Sequence, residues 1–255
     1  MNARKAVKRL ILRADDLGFS EGVNLGIEKS VRDGLIRTVG VMTNMEASEH
    51  GVKLLSGRKL CWGLHTNISA GRPLSDPEKI PSLTTEDGFF KTSKVYRSTE
   101  EDLVNLDEVI LEIEAQLARF RELVGEDPHY FEGHAVRSQN FNKGLQMVAE
   151  RHGLRYLEMN PDAPVPFGRS MLYLHMESMK PNYEPMNAIR TMQFHLGEGE
   201  ADFFICHPGY LDAAILRMSS LQIPRTQDLE LAVSRELREY VEEEEIQMLT
   251  YDDVW

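Results

Sequence analysis

Arg9-Leu10-Ile11-Leu12-Arg13-Ala14-Asp15-Asp16-Leu17-Gly18 is the stretch on which the fold turns: a short apolar run closed by two adjacent carboxylates and a glycine. The run is too short for an ordinary helix and ends in a turn signal, so it reads as a first strand over 9–14. The residues that follow have another period. Val23, Ile27 and Val31 recur at four-residue spacing behind Ser20, a capping residue, and Gly34 is placed to end the helix they predict. A strand, a polar joint and a helix form the unit from which the chain is built.

That unit recurs. Apolar runs predict further strands over 38–42, 60–65, 129–131, 154–157, 201–206 and 246–249. Between them, helical spacing appears over 47–55, through Ile110, Ile113, Leu117, Phe120 and Val124, through Phe141, Leu145 and Val148, and through Leu229, Val233, Leu237 and Tyr240. Strands alternating with helices indicate an α/β fold with a parallel sheet. No GxGxxG follows the first strand, which disfavours an open dinucleotide-binding sheet. The expected architecture is therefore a closed or nearly closed (β/α) barrel, a distorted TIM-type barrel. At 255 residues the chain has the size of one such barrel, so 1–255 reads as a single domain. Residues 69–98, with Pro73, Pro77, Pro81 and Gly88, lack periodicity and are expected to be a structureless, lid-like loop. Residues 160–186, rich in Pro and Met, carry no pattern that assigns them.

Charge narrows the partners. The net charge of −12 repels phosphate backbones and anionic lipid, so neither nucleic acid nor membrane is an expected partner. No apolar stretch approaches the length of a membrane span, and the first residues lack the pattern of a secretion signal. Only Cys61 and Cys206 are present, which suits a reducing compartment; a cytoplasmic location is expected.

The positions of the polar residues are more telling. Asp15 and Asp16 close the first strand, His65 the third, His134 follows the 129–131 strand, and His207 closes 201–206. Taken singly, each histidine is an ordinary hydrogen-bonded residue. In a βα barrel, however, the carboxyl ends of the strands share one face, and that face carries the chemistry. One carboxylate and two imidazoles suit a borderline divalent cation with open positions, leaving the second carboxylate as a base. Because neighbouring strand residues point to opposite faces, Asp15 and Asp16 share a site only if the strand bends there; Gly18 is the residue expected to allow it. Asn44 and Asn67, which follow two strand ends, Arg72 in the long loop and Tyr210 after a Pro-Gly turn are candidate substrate contacts.

The blocks Ala14-Asp15-Asp16-Leu17-Gly18, Gly63-Leu64-His65-Thr66-Asn67 with Gly71-Arg72-Pro73-Leu74, Gly133-His134 and Cys206-His207-Pro208-Gly209-Tyr210 occur in the order seen in the YdjC-like carbohydrate deacetylases, and the chain resembles that family over nearly its whole length. The resemblance implies a barrel-like deacetylase fold, a divalent cation (Mg2+ or Zn2+) and removal of acetyl groups from N-acetylated sugars. By motif it implies Asp16, His65 and His134 as metal ligands, Asp15 as general base and His207 as general acid or as a group stabilising the tetrahedral intermediate. It also suggests a homodimer. One block departs from the family. Where the family reads Asp-Gly-His-x-His-x-His, this chain reads Glu132-Gly133-His134-Ala135-Val136-Arg137-Ser138, so the pocket wall differs and Arg137 becomes a candidate contact to an acidic sugar or a phosphate. Two other readings stand beside this one: a catalytically silent sugar-binding or regulatory homologue, and a metal-dependent phosphoesterase.

Overall fold

The structure is a computed structural model describing residues 7–160 and 162–255. In chain order the elements are β1 (Arg9–Leu17), α1 (Glu21–Asp33), β2 (Thr38–Val41), α2 (Ser48–Leu54), β3 (Cys61–Thr66), a 3-10 turn (Pro77–Lys79), α3 (Ser93–Arg97), α4 (Leu106–Val124), β4 (Tyr130–Gly133), α5 (Gln139–His152), β5 (Val165–Phe167), β6 (Ser170–His175), α6 (Pro185–Thr191), β7 (Glu200–Cys206), α7 (Ala213–Met218), α8 (Ile223–Val233), α9 (Arg235–Glu243), β8 (Gln247–Leu249) and α10 (Tyr251–Val254). The strands line up as β4-β3-β2-β1-β7-β6-β5, with β8 joined to the first residues of β1. All pairings are parallel except β5 with β6. The sheet is a curled half-barrel, and the expected (β/α) barrel-like class holds.

Side-chain alternation along β1 divides the core. Leu10, Leu12 and Ala14 join the large cluster that packs under the helices, whereas Ile11 joins a smaller one with Tyr130, Phe167, Leu172, Phe203 and Tyr251. Arg13 and Asp15 follow Ile11 at period two, so the second face of β1 becomes charged as it nears its carboxyl end. The helix caps agree with the sequence. Ser20 Oγ accepts from Val23 N–H, and Gly34 ends α1 where any Cβ would stand 2.3 Å from the Ala232 carbonyl of α8.

Four expectations change. Residues 154–157 form only a single bridge, Phe131 to Tyr156, and an antiparallel β5–β6 pair comes from the region that showed no pattern. The late helix is two helices, α8 and α9, broken at Ser234, which caps the second through Leu237 N–H. Residues 69–98 carry structure: the 3-10 turn, α3, a Thr84–Phe90 bridge and buried Ile80, Leu83, Phe90 and Tyr96. Lastly, β1 does not stop at Ala14 but runs to Leu17, with an irregular register to β2 between Ala14 and Leu17.

The 69–98 segment is fastened to α4 by buried Glu112. Its carboxylate accepts from Leu74 N–H (3.1 Å), Ser75 N–H (2.9 Å) and the Gln116 amide (2.8 Å). Burial raises the Glu112 carboxyl, and these donors oppose that rise. Removing the acceptor strands two backbone N–H groups, each at a cost of about 1–3 kcal/mol. Glu112→Ala is therefore expected to lower the melting temperature and to expose the 72–90 region to limited proteolysis. A variant as resistant as the wild type would show that the strap holds nothing.

Candidate metal centre

The chain bends at the end of β1 at two residues: Gly18, as expected, with φ 103°, and Asp16 itself, with φ 74°, both in the left-handed region. For a non-glycine residue this conformation costs about 1–3 kcal/mol and needs support from its surroundings. Arg225 of α8 provides it, donating to Asp16 Oδ2 at 2.7 Å. Turned in this way, Asp16 reaches the same cavity as Asp15, although the two are sequence neighbours. His65 comes from the end of β3, Glu132 from β4, and His134 from just beyond it, held by its N–H on the Thr66 carbonyl.

Three donor atoms meet there. Asp16 Oδ1 lies 3.3 Å from His65 Nε2 and 3.3 Å from His134 Nδ1, and the two ring nitrogens are 2.9 Å apart. The far nitrogen of His65, Nδ1, is paired to Glu132, which leaves Nε2 facing its two neighbours. Both carboxylates and the His65 ring are buried. Burial would raise the Asp16 carboxyl, but the Arg225 guanidinium and the His134 ring outweigh it and hold it well below the carboxylate range. Burial would likewise lower His65, yet the Glu132 and Asp15 charges hold its ring well above the usual range.

Asp15 is bound on one side only. Arg13 Nη2 donates to its Oδ2 at 2.5 Å, and its Oδ1 is buried with no hydrogen-bond partner. That oxygen lies over Gly40 of β2, where a Cβ would come within 2.5 Å of it. Only glycine leaves this space.

These residues fit a divalent cation. An ion bound at about 2.0–2.2 Å to nitrogen and oxygen ligands spaces them roughly 3–3.5 Å apart, close to the separations seen. Asp16 Oδ1 is buried without a hydrogen bond, as an oxygen reserved for an ion would be. Glu132 fixes the ring orientation of His65, the arrangement that turns a histidine into a ligand. Two guanidiniums (Arg13, Arg225) stand among three buried carboxylates (Asp15, Asp16, Glu132), and the raised His65 ring meets the third charge, a place that a bound cation would take from its proton.

His207 follows β7. Its backbone N–H donates to Asp228 Oδ2 at 2.7 Å, and its Nδ1 lies 3.3 Å from Ser178 Oγ. Burial lowers its imidazole to about 4, with Asp16 opposing, so the ring is neutral at pH 7. Asp228, which also accepts from Tyr183 Oη, is pushed up by burial to about 7. A folded carboxyl that binds its proton more tightly than the unfolded one adds stability at low pH and loses it as pH rises through about 7. Asp228→Asn cannot titrate. Its stability relative to wild type is thus expected to rise between about pH 4 and pH 8, by at most about 1.4 kcal/mol per unit. A pH-independent difference in melting temperature would show that Asp228 stays ionised in the fold.

The candidate substrate contacts form no hydrogen bond with these donors among the described residues. Asn44 and Asn67 spend their amides on the chain. Asn67 Nδ2 donates to Asn44 Oδ1 and the Ala70 carbonyl, Asn44 Nδ2 donates to the Ala70 and Arg72 carbonyls, and Asn67 Oδ1 caps the Ser69–Ala70 turn. Their amides shape the wall of the loop. Arg72 is exposed, lies over the Phe89 ring and donates to the Asp87 carbonyl. Arg137 and Tyr210 are exposed. At the departing block, Ser138 caps α5 through Phe141 N–H and Val136 packs into the core, so both have structural work there. Sequence reading did not single out Arg13, Glu132, Arg225 or Asp228. Arg13 was legible as a charge in an apolar strand two residues before Asp15; Arg225 and Asp228 lie on a helix more than 200 residues from β1 and gave no local signal.

The chain is 29% identical to a carbohydrate deacetylase of Clostridium beijerinckii, covering 96% of this chain and 100% of that one. It is 30% identical to a carbohydrate deacetylase of Brevibacillus brevis (96% and 99%) and 29% identical to a chitooligosaccharide deacetylase of Escherichia fergusonii (96% and 98%). Among solved structures, a protein of Enterococcus faecalis V583 named for cellobiose-phosphate cleavage superposes with a TM-score of 0.81 at 21% identity, over 97% and 98% of the two chains. A peptidoglycan N-acetylglucosamine deacetylase superposes at 0.52 and 12% identity, over 97% and 87%; at these identities the likeness is one of fold. The profile of the YdjC-like protein family matches residues 9–243, and the chain belongs to that family.

Proposed function

We propose that this protein is a metal-dependent hydrolase that removes acetyl groups from N-acetylated sugars. The observation that carries the proposal is the convergence of Asp16 Oδ1, His65 Nε2 and His134 Nδ1 beside the unpartnered Oδ1 of Asp15. The near full-length relatives named as carbohydrate and chitooligosaccharide deacetylases support the substrate class.

Asp16, His65 and His134 would hold a divalent cation, Mg2+ or Zn2+, which when bound polarises a carbonyl and acidifies water. The remaining steps belong to the chain. Arg13 holds Asp15 through Oδ2, so that Oδ1 is free to take a proton from the attacking water. One proton is then needed on the departing amine nitrogen, and Asp15 holds the one just taken. His207, kept neutral by burial, is suited to donating a hydrogen bond to the tetrahedral intermediate, the second of the two roles its motif suggested. The 69–98 segment would cover the sugar as a lid over this one-domain barrel, with Arg72, Arg137 and Tyr210 at its approach. No helix among the described residues is long and apolar enough to cross a membrane, and we place the protein in the cytoplasm, as a homodimer acting on a small acetylated sugar.

Acetate release from N-acetylglucosamine oligomers, measured after chelation and again after reloading with metal, tests the proposal. Release that depends on the metal is expected. Phosphate release from phosphorylated sugars without acetate release would favour a phosphoesterase, and tight sugar binding with no turnover a silent homologue.

A further inference from the structure

A second group of donors lies well away from the site just described. Asp202 is the third residue of β7, five residues before His207 and thus about 16 Å down the strand from it. Alternation along β7 sets Asp202 with Phe204 and Cys206, which belong to the cluster under the helices, and apart from the inner-cluster residues Phe203 and Ile205. Its carboxylate is wholly buried. Oδ1 lies 2.8 Å from His175 Nε2 and 2.8 Å from His195 Nδ1, and Oδ2 accepts the His195 N–H at 2.9 Å. Neither a lysine nor an arginine forms an ion pair with Asp202 among the described residues, so its charge has only the two imidazoles to meet it.

The two rings are held independently. His175 ends β6, in register with Phe204 of β7. His195 belongs to the loop before β7 and stacks on Tyr173, with ring centroids 3.3 Å apart and planes 6° from parallel. The Tyr173 hydroxyl is in turn fixed on Glu200 at 2.8 Å. Both histidine side chains are partly exposed, at 18% and 31%, which leaves an approach from solvent.

We propose that His175, His195 and Asp202 form a second binding site for a divalent transition-metal ion of the zinc class. Two imidazole nitrogens and one carboxylate oxygen are the donor set such ions select, and a buried, otherwise uncompensated carboxylate gains most from a cation. Without the ion each ring offers an N–H to Oδ1. On binding, each neutral ring places its proton on the other nitrogen, and the freed lone pair takes the metal. The site ties the 192–199 loop to the outer face of β6 and β7, a structural role independent of any hydrolysis at Asp15 and Asp16.

The test counts zinc per full-length chain by mass spectrometry after chelation, reloading and dialysis. Wild type is expected to retain two ions, and His195→Gln one, the glutamine keeping a hydrogen-bonding group opposite Asp202 while removing the ring nitrogen. His175→Ala is expected to give the same count. In an Asp16→Asn background, cobalt(II) is expected to give a visible absorption band that is lost on adding His195→Gln. A zinc count unchanged by both His195→Gln and His175→Ala, in protein with wild-type circular dichroism, overturns the site. Asp16→Asn reports separately on the first centre, so failure of one reading is distinct from failure of the other.

Discussion

Asp16→Asn is expected to leave a folded protein that no longer retains the cation held with His65 and His134 and that releases acetate on the order of 10³-fold more slowly. Asp16 is the one anionic member of the proposed ligand set. With asparagine in its place the two imidazoles must hold a divalent ion alone, and an amide N–H turned toward the cavity repels it. Asparagine is the informative substitution because it tolerates the left-handed backbone at this position, where alanine adds about 1–2 kcal/mol of strain. It also keeps an oxygen for Arg225 Nη2, so that hydrogen bond survives, although the buried guanidinium loses its carboxylate charge and the variant is expected to be less stable than wild type. Metal content by mass spectrometry and acetate release are read together. A variant that keeps its metal and its rate would remove Asp16 from the ligand set.

Asp15→Asn separates chemistry from binding. The side chain keeps its shape over Gly40, and Arg13 keeps Tyr251 at 3.2 Å and Glu132 at 3.7 Å as partners. Metal is expected to remain, because neither oxygen of Asp15 belongs to the set formed by Asp16, His65 and His134. Turnover is expected to fall by about 10²–10⁴-fold, the usual contribution of a positioned base, with KM little changed. Loss of metal together with turnover would mean that Asp15 holds the ion and that the base lies elsewhere.

The strand-end rule made most of this centre legible before any coordinates. Asp15, Asp16, His65 and His134 converge because parallel strands β1, β3 and β4 end on one face, and each strand could be seen as an apolar run. What the sequence did not convey was how two adjacent aspartates serve one cavity. The reason is a φ of 74° at Asp16, which no composition or period signals, two residues before the glycine, Gly18 at φ 103°, that the sequence did mark as a bend. Glu132 was visible only as a departure from a motif, and its contact to His65 Nδ1 depends on the β3–β4 register, where the two residues lie side by side. The antiparallel β5–β6 pair escaped notice because its strands are short and lie in Pro- and Met-rich sequence, where alternation is too brief to detect. Asn44 and Asn67, well placed in sequence for a ligand, turn their amides to backbone carbonyls of the 67–72 turn, a loop conformation that no period in the sequence signals.

Anomalous diffraction from a crystal saturated with Zn2+ or Mn2+ tests the centre most directly. The account predicts a peak bonded to Asp16 Oδ1, His65 Nε2 and His134 Nδ1, with Asp15 beside it and uncoordinated. Well-ordered density for those three side chains with no peak among them would contradict it.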